Sequence, residues 1–227
     1  MKFLLVFISL FIFIVHSLYG QKNSDFKNYK DTSIFIPQNE IIFLEKGKKL
    51  KEPYYFSADD IRKDMIVAET CSIPPSIADI LYEYYYGDFL NECEPTVKQS
   101  IEEQLRKETI FCYIGMILIN NSKSYIFMTK KTRDTDKHVS FYMLNIHEER
   151  LSSIFNIASY LLSFGTSYHN YTIIQSPNLL TKKSNVDVSD VILIGKAKLR
   201  AEAERKKNAK RYKLNKEGYI IPLKGGK

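Results

Sequence analysis

The texture of the chain changes after Lys107, and this change limits the fold more than any other feature of the sequence. Before it, apolar residues recur at spacings of three and four, which is the pattern of amphipathic helices. After it, segments rich in Val, Ile, Phe and Tyr follow one another with short polar connections, as strands do. Because those connections are too short for crossovers, neighbouring strands should run antiparallel. The sequence therefore predicts an α+β fold, with a helical N-terminal portion packed on an antiparallel β-meander.

Residues 57–107 carry three helix signatures. Ser57 is followed by two aspartates, and a hydroxyl cap with carboxylates in the first turn predicts a short helix there. A second helix is predicted from Pro74 to Gly87, since proline is tolerated in a first turn and glycine ends helices. A third begins at Thr96 and buries a narrow apolar stripe. This part of the chain should be mainly helical.

The strand signals begin with Ile110 to Ile119, a nearly continuous apolar run that predicts a buried strand. Tyr125–Met128 should form a hairpin with it, and Val139–Ile146 is the next strand candidate. Residues 151–162 fit two structures, because their apolar residues form an acceptable helical stripe and only an imperfect strand alternation. In the strand interpretation the chain turns at 147–150 and returns. Periodicity alone favours the helix.

Several segments together carry a resemblance to known proteins. They are Val139–Ile146, a turn at Glu148–Arg150, Ile154–Tyr160, Gly165, Tyr171–Ile174 and the ending Tyr212, Leu214, Glu217, Gly218, Ile220. This succession, about half of the chain, resembles the β-meander and terminal hairpin of exported, uncharacterised proteins of Bacteroidetes-type bacteria. The resemblance implies an antiparallel sheet, so it favours a strand over 151–162. It includes no catalytic motif and implies nothing about activity.

The first twenty residues have the build of an export signal. Lys2 precedes an apolar run from Phe3 to Val15, and small residues follow at Ser17 and Gly20. A helix of that length would cover only about 20 Å of a hydrocarbon core about 30 Å thick. We expect cleavage after Gly20 and no membrane span afterwards, with the protein in the periplasm, the outer cell envelope or the medium. The alternative is an uncleaved anchor, which the early interruption at His16 disfavours.

Without residues 1–20 the chain retains 207 of its 227 residues, which suits one domain. Two short apolar clusters, Ile34–Pro37 and Ile41–Leu44, predict edge strands. The predicted organisation is a signal peptide at 1–20, a flexible polar lead-in at 21–33 and a single domain at 34–227. Within that domain we expect helices over 57–107, the sheet over 109–195, a basic helix over 196–213 and a terminal strand and tail over 214–227.

The positive net charge of +7 is concentrated near the C-terminus. Residues 196–227 carry 12 Lys and Arg against 3 Glu, whereas residues 21–195 carry 20 basic and 23 acidic residues. With no recognisable nucleic-acid module and a mildly acidic body, binding to nucleic acid is not expected. The basic helix is either a solvated terminal helix or a contact for an anionic or acidic partner. The candidate contact residues are Arg200, Arg205, Lys206, Lys207, Lys210 and Arg211.

Three cysteines in an exported chain leave one without a partner. Cys112 lies within an apolar run, which is typical of a buried core residue. Cys71 and Cys93 flank a predicted helix in turn-rich sequence, so we expect them to form the disulfide if one exists, with a stabilisation of about 3 kcal/mol.

Sequence motifs for catalysis are scarce. His147-Glu148-Glu149 lacks the second histidine that a helical zinc site needs four residues on, where Leu151 stands. No nucleophile elbow, phosphate loop or dinucleotide fingerprint is present, so no metal or cofactor is expected. A run of tyrosines around Tyr84 offers an alternative, a carbohydrate-stacking surface, although one helical face would bury part of it.

These observations favour a non-enzymatic function. The leading hypothesis is an exported envelope or secreted module that binds an unidentified protein partner or a surface polymer. One alternative is a small secreted hydrolase with a thiol or carboxylate site. A further alternative is an immunity or inhibitor protein, since an acidic body suits a basic partner.

Overall fold

A computed structural model describes residues 25–30, 34–50, 54–56, 70–119, 122–132, 137–163, 166–175, 179–188 and 210–223. Within this part of the chain there are three helices and ten strands. The helices are α1 (Gln38–Glu45), α2 (Pro75–Glu92) and α3 (Pro95–Glu108). The strands are β1 (Phe26–Asn28), β2 (Tyr54–Phe56), β3 (Thr109–Ile119), β4 (Ser122–Thr132), β5 (Lys137–His147), β6 (Arg150–Ser163), β7 (Thr166–Gln175), β8 (Leu179–Val188), β9 (Lys210–Leu214) and β10 (Ile220–Leu223).

The strands form one antiparallel sheet, so the predicted α+β fold with a β-meander is confirmed. Its order is β10-β9-β8-β7-β6-β5-β4-β3, which is also the reverse order along the chain. Strands β6 and β7 pair over only part of their lengths, and the remaining edges are filled by β1 on β6 and by β2 on β7. No helix among the described residues combines the length and apolar character needed to cross a membrane.

The central strands are buried on both faces, and this explains their nearly continuous apolar sequence. Along β5, Phe141 and Met143 belong to one core, whereas Tyr142 and Leu144 belong to the other. The first core lies between the central strands and the β9–β10 hairpin, which ends the sheet and folds back over them. The second lies between the central strands and the three helices. The central strands therefore serve as the middle layer of the fold.

Residues 151–162 form a strand, as the resemblance implied and periodicity did not. Ile154 packs in the core beneath the helices, and its neighbour Phe155 packs in the core beneath the hairpin. Because both faces of β6 are buried, the strand carries no clean alternation of polar and apolar residues. The third predicted helix and the terminal strand are likewise confirmed, as α3 and β10.

Several predicted boundaries were wrong. Ile41–Leu44 lies in helix α1 and not in an edge strand, since Ile41 and Leu44 are three residues apart and bury one face of a single turn. The second helix continues past Gly87, whose burial inside α2 places it in the packed face. The sheet begins at β1, inside the expected flexible lead-in. Its sequence Phe-Lys-Asn is too short to show a period.

Other predictions fall outside the described residues. These are the signal peptide at 1–20, the short helix expected after Ser57 and residues 196–209 of the expected basic helix. The end of that expected helix was wrong, because Lys210–Leu214 forms β9. Tyr212 and Leu214 are buried while Arg211 and Lys213 are exposed, which is the two-residue period of a strand.

The disulfide joins Cys71 to Cys112, so the expected Cys71–Cys93 bond was wrong. Thr70 exchanges backbone hydrogen bonds with Tyr113 in β3, at 2.7 and 3.3 Å, and this pairing brings the next residue, Cys71, beside Cys112. Cys93 is a free thiol at the end of α2 and donates to the Phe89 carbonyl at 3.4 Å. Only the tertiary pairing of two segments distant in sequence selects the partner.

A partly buried carboxylate, that of Asp25, joins the N-terminal strand to the C-terminal hairpin. We call this group the Asp25 cluster. Its members are Asp25, Asn156, Lys182, Lys210 and Tyr212. The Lys182 ammonium, only 4% exposed, lies 2.8 Å from Asp25 Oδ1 and donates to the backbone and side-chain oxygens of Asn156 at 2.8 and 2.9 Å. The Lys210 ammonium and the Tyr212 hydroxyl both donate to Asp25 Oδ2, at 2.7 and 2.5 Å.

Asp25 and Lys182 respond differently to burial. Desolvation would raise the pKa of Asp25, but Lys182, Lys210 and the Tyr212 hydroxyl outweigh it and lower that pKa to about 2. Burial lowers the pKa of Lys182, and Asp25 opposes that change only in part. Folding thus stabilises the ionised form of Asp25, because several donors surround its carboxylate. The Lys182 ammonium, in contrast, depends on Asp25 to stay charged inside the protein.

We expect Cys71→Ser to lower the free energy of unfolding by about 4 kcal/mol, because the bond closes a loop over a sequence separation of 41. Urea unfolding measures this loss. Cys93→Ser is the matched control and should cost less than about 1 kcal/mol, since its thiol forms no disulfide. Peptide mapping without reduction should recover Cys71 linked to Cys112, and a peptide linked through Cys93 would contradict this assignment.

We expect Asp25→Asn to lower the free energy of unfolding by about 3 to 5 kcal/mol near pH 7, because it leaves Lys182 buried without its anion. Urea unfolding gives the change. The control is Asp79→Asn, which breaks an exposed ion pair with Arg106 and should cost less than about 1 kcal/mol.

The same carboxylate predicts an acid-labile contribution to stability. Its pKa falls from 3.8 to about 2 on folding, so the contribution is complete above the unfolded value and is lost as the pH drops from 3.8 towards 2. It amounts to about 2 kcal/mol. The stability of the wild type should therefore fall more steeply over this interval than that of Asp25→Asn, and parallel curves would contradict the ion pair.

Candidate functional site

Two turns between strands and the start of β4 meet next to α1 and border a cleft of 720 Å³. We call it the turn-end cleft. Helix α1 contributes Gln38, Ile41 and Glu45, and β4 contributes Ser122, Lys123 and Tyr125. The β5–β6 turn region contributes Ile146, His147, Glu148 and Glu149, and the β9–β10 turn contributes Lys216 and Gly218. This volume is within the range of sites that bind small molecules or short segments of polymers.

A buried chain of hydrogen bonds fixes the walls of the cleft relative to one another. The Ser124 hydroxyl of β4 donates to Asn145 Oδ1 at 2.6 Å, and Asn145 Nδ2 donates to Ser153 Oγ at 2.8 Å. Ser153 in turn donates to the Gly218 carbonyl at 2.5 Å. All three side chains are buried. The chain therefore links β4, β5 and β6 to the β9–β10 turn, and holds that turn at a fixed place beside the cleft.

Gly218 is required where the β9–β10 turn meets the sheet. Its φ is +82°, and an added Cβ would lie 3.1 Å from the Cβ atoms of both Asn145 and Ser152. A side chain would thus be strained by its backbone conformation and crowded by two strands. The close approach is what allows the Gly218 carbonyl to reach Ser153.

The β5–β6 turn places two carboxylates at the cleft in an uncommon backbone conformation. Glu148 and Glu149 are the two central residues of the turn, and their φ values are +48° and +63°. A two-residue turn of this kind favours Asn-Gly, because a Cβ in the left-handed region costs roughly 1 to 2 kcal/mol per residue. Both glutamates are exposed. The turn therefore keeps two glutamates at positions where asparagine and glycine would adopt the same backbone conformation at a lower energetic cost.

The charges in the cleft are only partly paired. The Lys123 ammonium lies 2.5 Å from the Glu45 carboxylate, whereas His147 Nε2 lies 3.8 Å from Glu148, whose side chain is 84% exposed. Burial, followed by the Glu45 charge, raises the pKa of Tyr125 to about 12, so its hydroxyl stays neutral. The two glutamates of the β5–β6 turn make that side of the rim acidic, and Lys216 of the β9–β10 turn lines the same cleft.

The predicted contact residues lie elsewhere. Arg200, Arg205, Lys206 and Lys207 are outside the described residues. Lys210 and Arg211 are in β9 and not in a helix, and neither is among the described residues that line the turn-end cleft. Lys210 is engaged with Asp25 at 2.7 Å, while Arg211 is exposed on the outer face of the hairpin.

The tyrosine run of α2 packs inward. Tyr82 and Tyr86 are buried, and the rings of Tyr84 and Tyr85 make edge contacts with Tyr142 of the sheet, with centroids 5.7 and 6.1 Å apart. These rings therefore pack against the core beneath the helices, which argues against a carbohydrate-stacking surface on this helix. The excess of tyrosine in this segment reflects packing.

The thiol chemistry and metal binding considered from the sequence can also be compared with the structure. Cys71 has no free thiol, and burial, opposed in part by Lys98, raises the pKa of the Cys93 thiol. A raised pKa disfavours the nucleophilic thiolate. Among the described residues no three His, Cys, Asp or Glu side chains group as metal ligands would, and this includes the neighbourhood of His147.

Sequence reasoning considered part of this site, the His147-Glu148-Glu149 triplet, only as a metal motif, which it rejected, and not as part of a cleft. It missed Gln38, Glu45 and Lys216, which come from segments far apart in the chain. Their only sequence signal is that each is polar and lies at or beside the end of a strand or helix. Polar residues at such ends are too common to identify a site.

We expect Ser153→Ala to lower the free energy of unfolding by about 1 to 3 kcal/mol, because a buried amide of Asn145 and the Gly218 carbonyl lose their partner. Urea unfolding measures the loss. Amide hydrogen exchange in the variant should become faster first in the β9–β10 turn. The control is Ser122→Ala, whose exposed hydroxyl bonds the Lys216 carbonyl at 3.2 Å and should contribute less than about 0.5 kcal/mol. Equal effects of the two changes would show that the buried chain does not hold the turn.

Comparison with known proteins adds no functional information to this geometry. No protein-family model matches the sequence, and neither a curated protein nor a solved structure matches it at a significant level. The fold and the turn-end cleft are therefore the basis on which a function is proposed.

Proposed function

We propose that this protein is an exported, non-enzymatic binding module that holds a segment of a protein partner or of a surface polymer in the turn-end cleft. One observation carries the proposal. At the rim of a 720 Å³ cleft, Glu148 and Glu149 occupy left-handed backbone positions that Asn-Gly would fill at a lower cost. Strain that stability does not require is concentrated at functional positions. The two carboxylates therefore serve a bound ligand.

The charges of the cleft favour a protein segment that carries Lys or Arg. Lys123 is paired with Glu45, and the β5–β6 turn adds the exposed carboxylates of Glu148 and Glu149 to the cleft lining. A guanidinium or ammonium group placed between these carboxylates would form charge-assisted hydrogen bonds, which are stronger than neutral ones. Gln38 and Lys216 offer further donors, and Gln38 an acceptor, to the backbone of such a segment.

The arrangement favours binding over hydrolysis by a thiol. The cysteine chemistry of that alternative requires a thiolate near a histidine, but Cys71 is bonded to Cys112 and the Cys93 thiol has a raised pKa. The disulfide itself supports export, since such bonds persist in oxidising compartments. An exported module with a mostly preformed cleft fits these features together.

The test is a double change, Glu148→Asn with Glu149→Gly, in protein purified after export. Asn-Gly keeps the turn and relieves its backbone strain, so the variant should be as stable as the wild type or more stable. The probes are oligo-arginine and oligo-lysine peptides and a neutral oligosaccharide, and binding is measured by titration calorimetry together with NMR shifts of the cleft residues. We expect the basic peptides to bind at the cleft and the variant to bind them at least tenfold more weakly.

A control variant removes the same two charges elsewhere. Glu92→Gln with Glu94→Gln alters exposed glutamates where α2 meets α3, and neither residue lines the cleft. It should bind the basic peptides as the wild type does. Equal losses of affinity in both variants would show that binding depends only on net charge. NMR shifts outside the cleft would show that the peptides bind elsewhere and would contradict the proposed site. Binding of the oligosaccharide alone would assign the cleft to a surface polymer.

A further inference from the structure

The outer face of the β9–β10 hairpin presents cationic and apolar side chains side by side. Arg211 and Lys213 are exposed on β9, whereas Tyr212 and Leu214 between and beyond them point into the core. On β10, Ile221 and Leu223 are 41% and 38% exposed. The register pairs Ile221 with Lys213 and Leu223 with Arg211. We call these four residues, Arg211, Lys213, Ile221 and Leu223, the hairpin face.

The edge of β10 is closed to the addition of another strand. Alternate residues of a strand direct their N–H groups to the same edge, and here those residues are Ile220 and Pro222. The Ile220 N–H already donates to Asn28 Oδ1 at 2.9 Å, and proline has no N–H. A partner that extends the sheet would find no free donor at these positions. The exposed apolar residues therefore do not serve strand pairing.

The composition of the hairpin face matches an anionic lipid surface. Lys and Arg carry their charges at the ends of long apolar stems. On a membrane these charged ends would contact the lipid headgroups, while the neighbouring Ile221 and Leu223 would enter the headgroup layer. The part of the sequence that includes the hairpin has the same sign of charge, because residues 196–227 carry 12 Lys and Arg against 3 Glu. Within the described tail, Glu217 lies in the turn and not on the hairpin face.

We propose that the hairpin face docks the protein on an anionic membrane surface. None of its four residues is among those that line the turn-end cleft, so the proposal is independent of the ligand that the cleft holds. The inner side of the hairpin is fixed to the sheet by the Asp25 cluster and by the Asn28 amide, which also donates to the Ile220 carbonyl at 2.8 Å. The face is thus a rigid platform that needs no refolding to bind.

The experiment is cosedimentation of the exported, purified protein with vesicles of phosphatidylcholine, alone or mixed with phosphatidylglycerol. The wild type should bind only the mixed vesicles and should be released when salt shortens the Debye length to about 3 Å. Arg211→Gln with Lys213→Gln should weaken binding about 25-fold, which corresponds to about fivefold per charge. Ile221→Ser with Leu223→Ser should also weaken binding and should leave the remaining binding more sensitive to salt.

The matched control is Lys46→Gln with Lys107→Gln, which removes two exposed charges that are not part of the hairpin. It should bind mixed vesicles like the wild type, and so should the Glu148→Asn, Glu149→Gly variant. An equal loss in the lysine control would attribute binding to net charge and overturn the proposal, as would no binding to mixed vesicles. Binding to an oligoglutamate peptide in place of vesicles, lost on changing Arg211 and Lys213, would assign the face to an acidic protein and overturn the lipid surface.

All four substituted residues are exposed, so the variants should melt as the wild type does, which circular dichroism would verify. If a double variant melts early, the single changes Arg211→Gln and Leu223→Ser make the same comparison. An unchanged affinity in both folded single variants would overturn the proposal.

Discussion

The ion pair between Asp25 and Lys182 is the interaction on which the closure of the fold depends. It joins residues 157 positions apart in the chain, and Asp25 also binds Lys210 and Tyr212 of β9. An ion pair taken out of water rarely stabilises a protein more than well-packed apolar residues of similar size would. Its two groups tolerate fewer relative positions, however, so the pair restricts the geometry of the fold more strongly. Here the cluster selects one position of the β9–β10 hairpin across the sheet, and apolar contacts such as Phe155 on Tyr212, with ring centroids 5.0 Å apart, then fill the space between.

The turn-end cleft is a consequence of that closure. Lys216 and Gly218 reach it only because the hairpin folds back over β5 and β6, and the bond between Ser153 and the Gly218 carbonyl fixes the final approach. Helix α1 closes the opposite side, where the Leu44 carbonyl accepts from the buried Tyr113 hydroxyl at 2.7 Å. The cleft is thus supported by secondary structure on each side, and the exposed glutamates of the β5–β6 turn are the part of it least needed by the core.

Sequence reasoning predicted what local patterns encode and missed what tertiary contact decides. The strand β3 was recognisable from its nearly continuous apolar run, and the helix α3 from its apolar stripe at helical spacing. Strand β1 was not, since its three residues gain their structure from pairing with β6. The partner of Cys71 was likewise set by the bridge between Thr70 and Tyr113. The cleft combines four separated segments, and only the triplet at His147 stood out in the sequence.

The two proposed surfaces share one element, and its rigidity determines how they relate. The β9–β10 hairpin supplies Lys216 to the cleft, Tyr212 to the Asp25 cluster and Arg211 to the hairpin face. Coupling between two sites requires an element with two arrangements that both ligands bias. The bonds of Asp25 and the buried bonds of Ser153 hold the hairpin in one arrangement, so membrane contact would not alter the affinity of the cleft. Docking would instead fix the direction in which the cleft faces, and thereby limit its partners to those near the membrane.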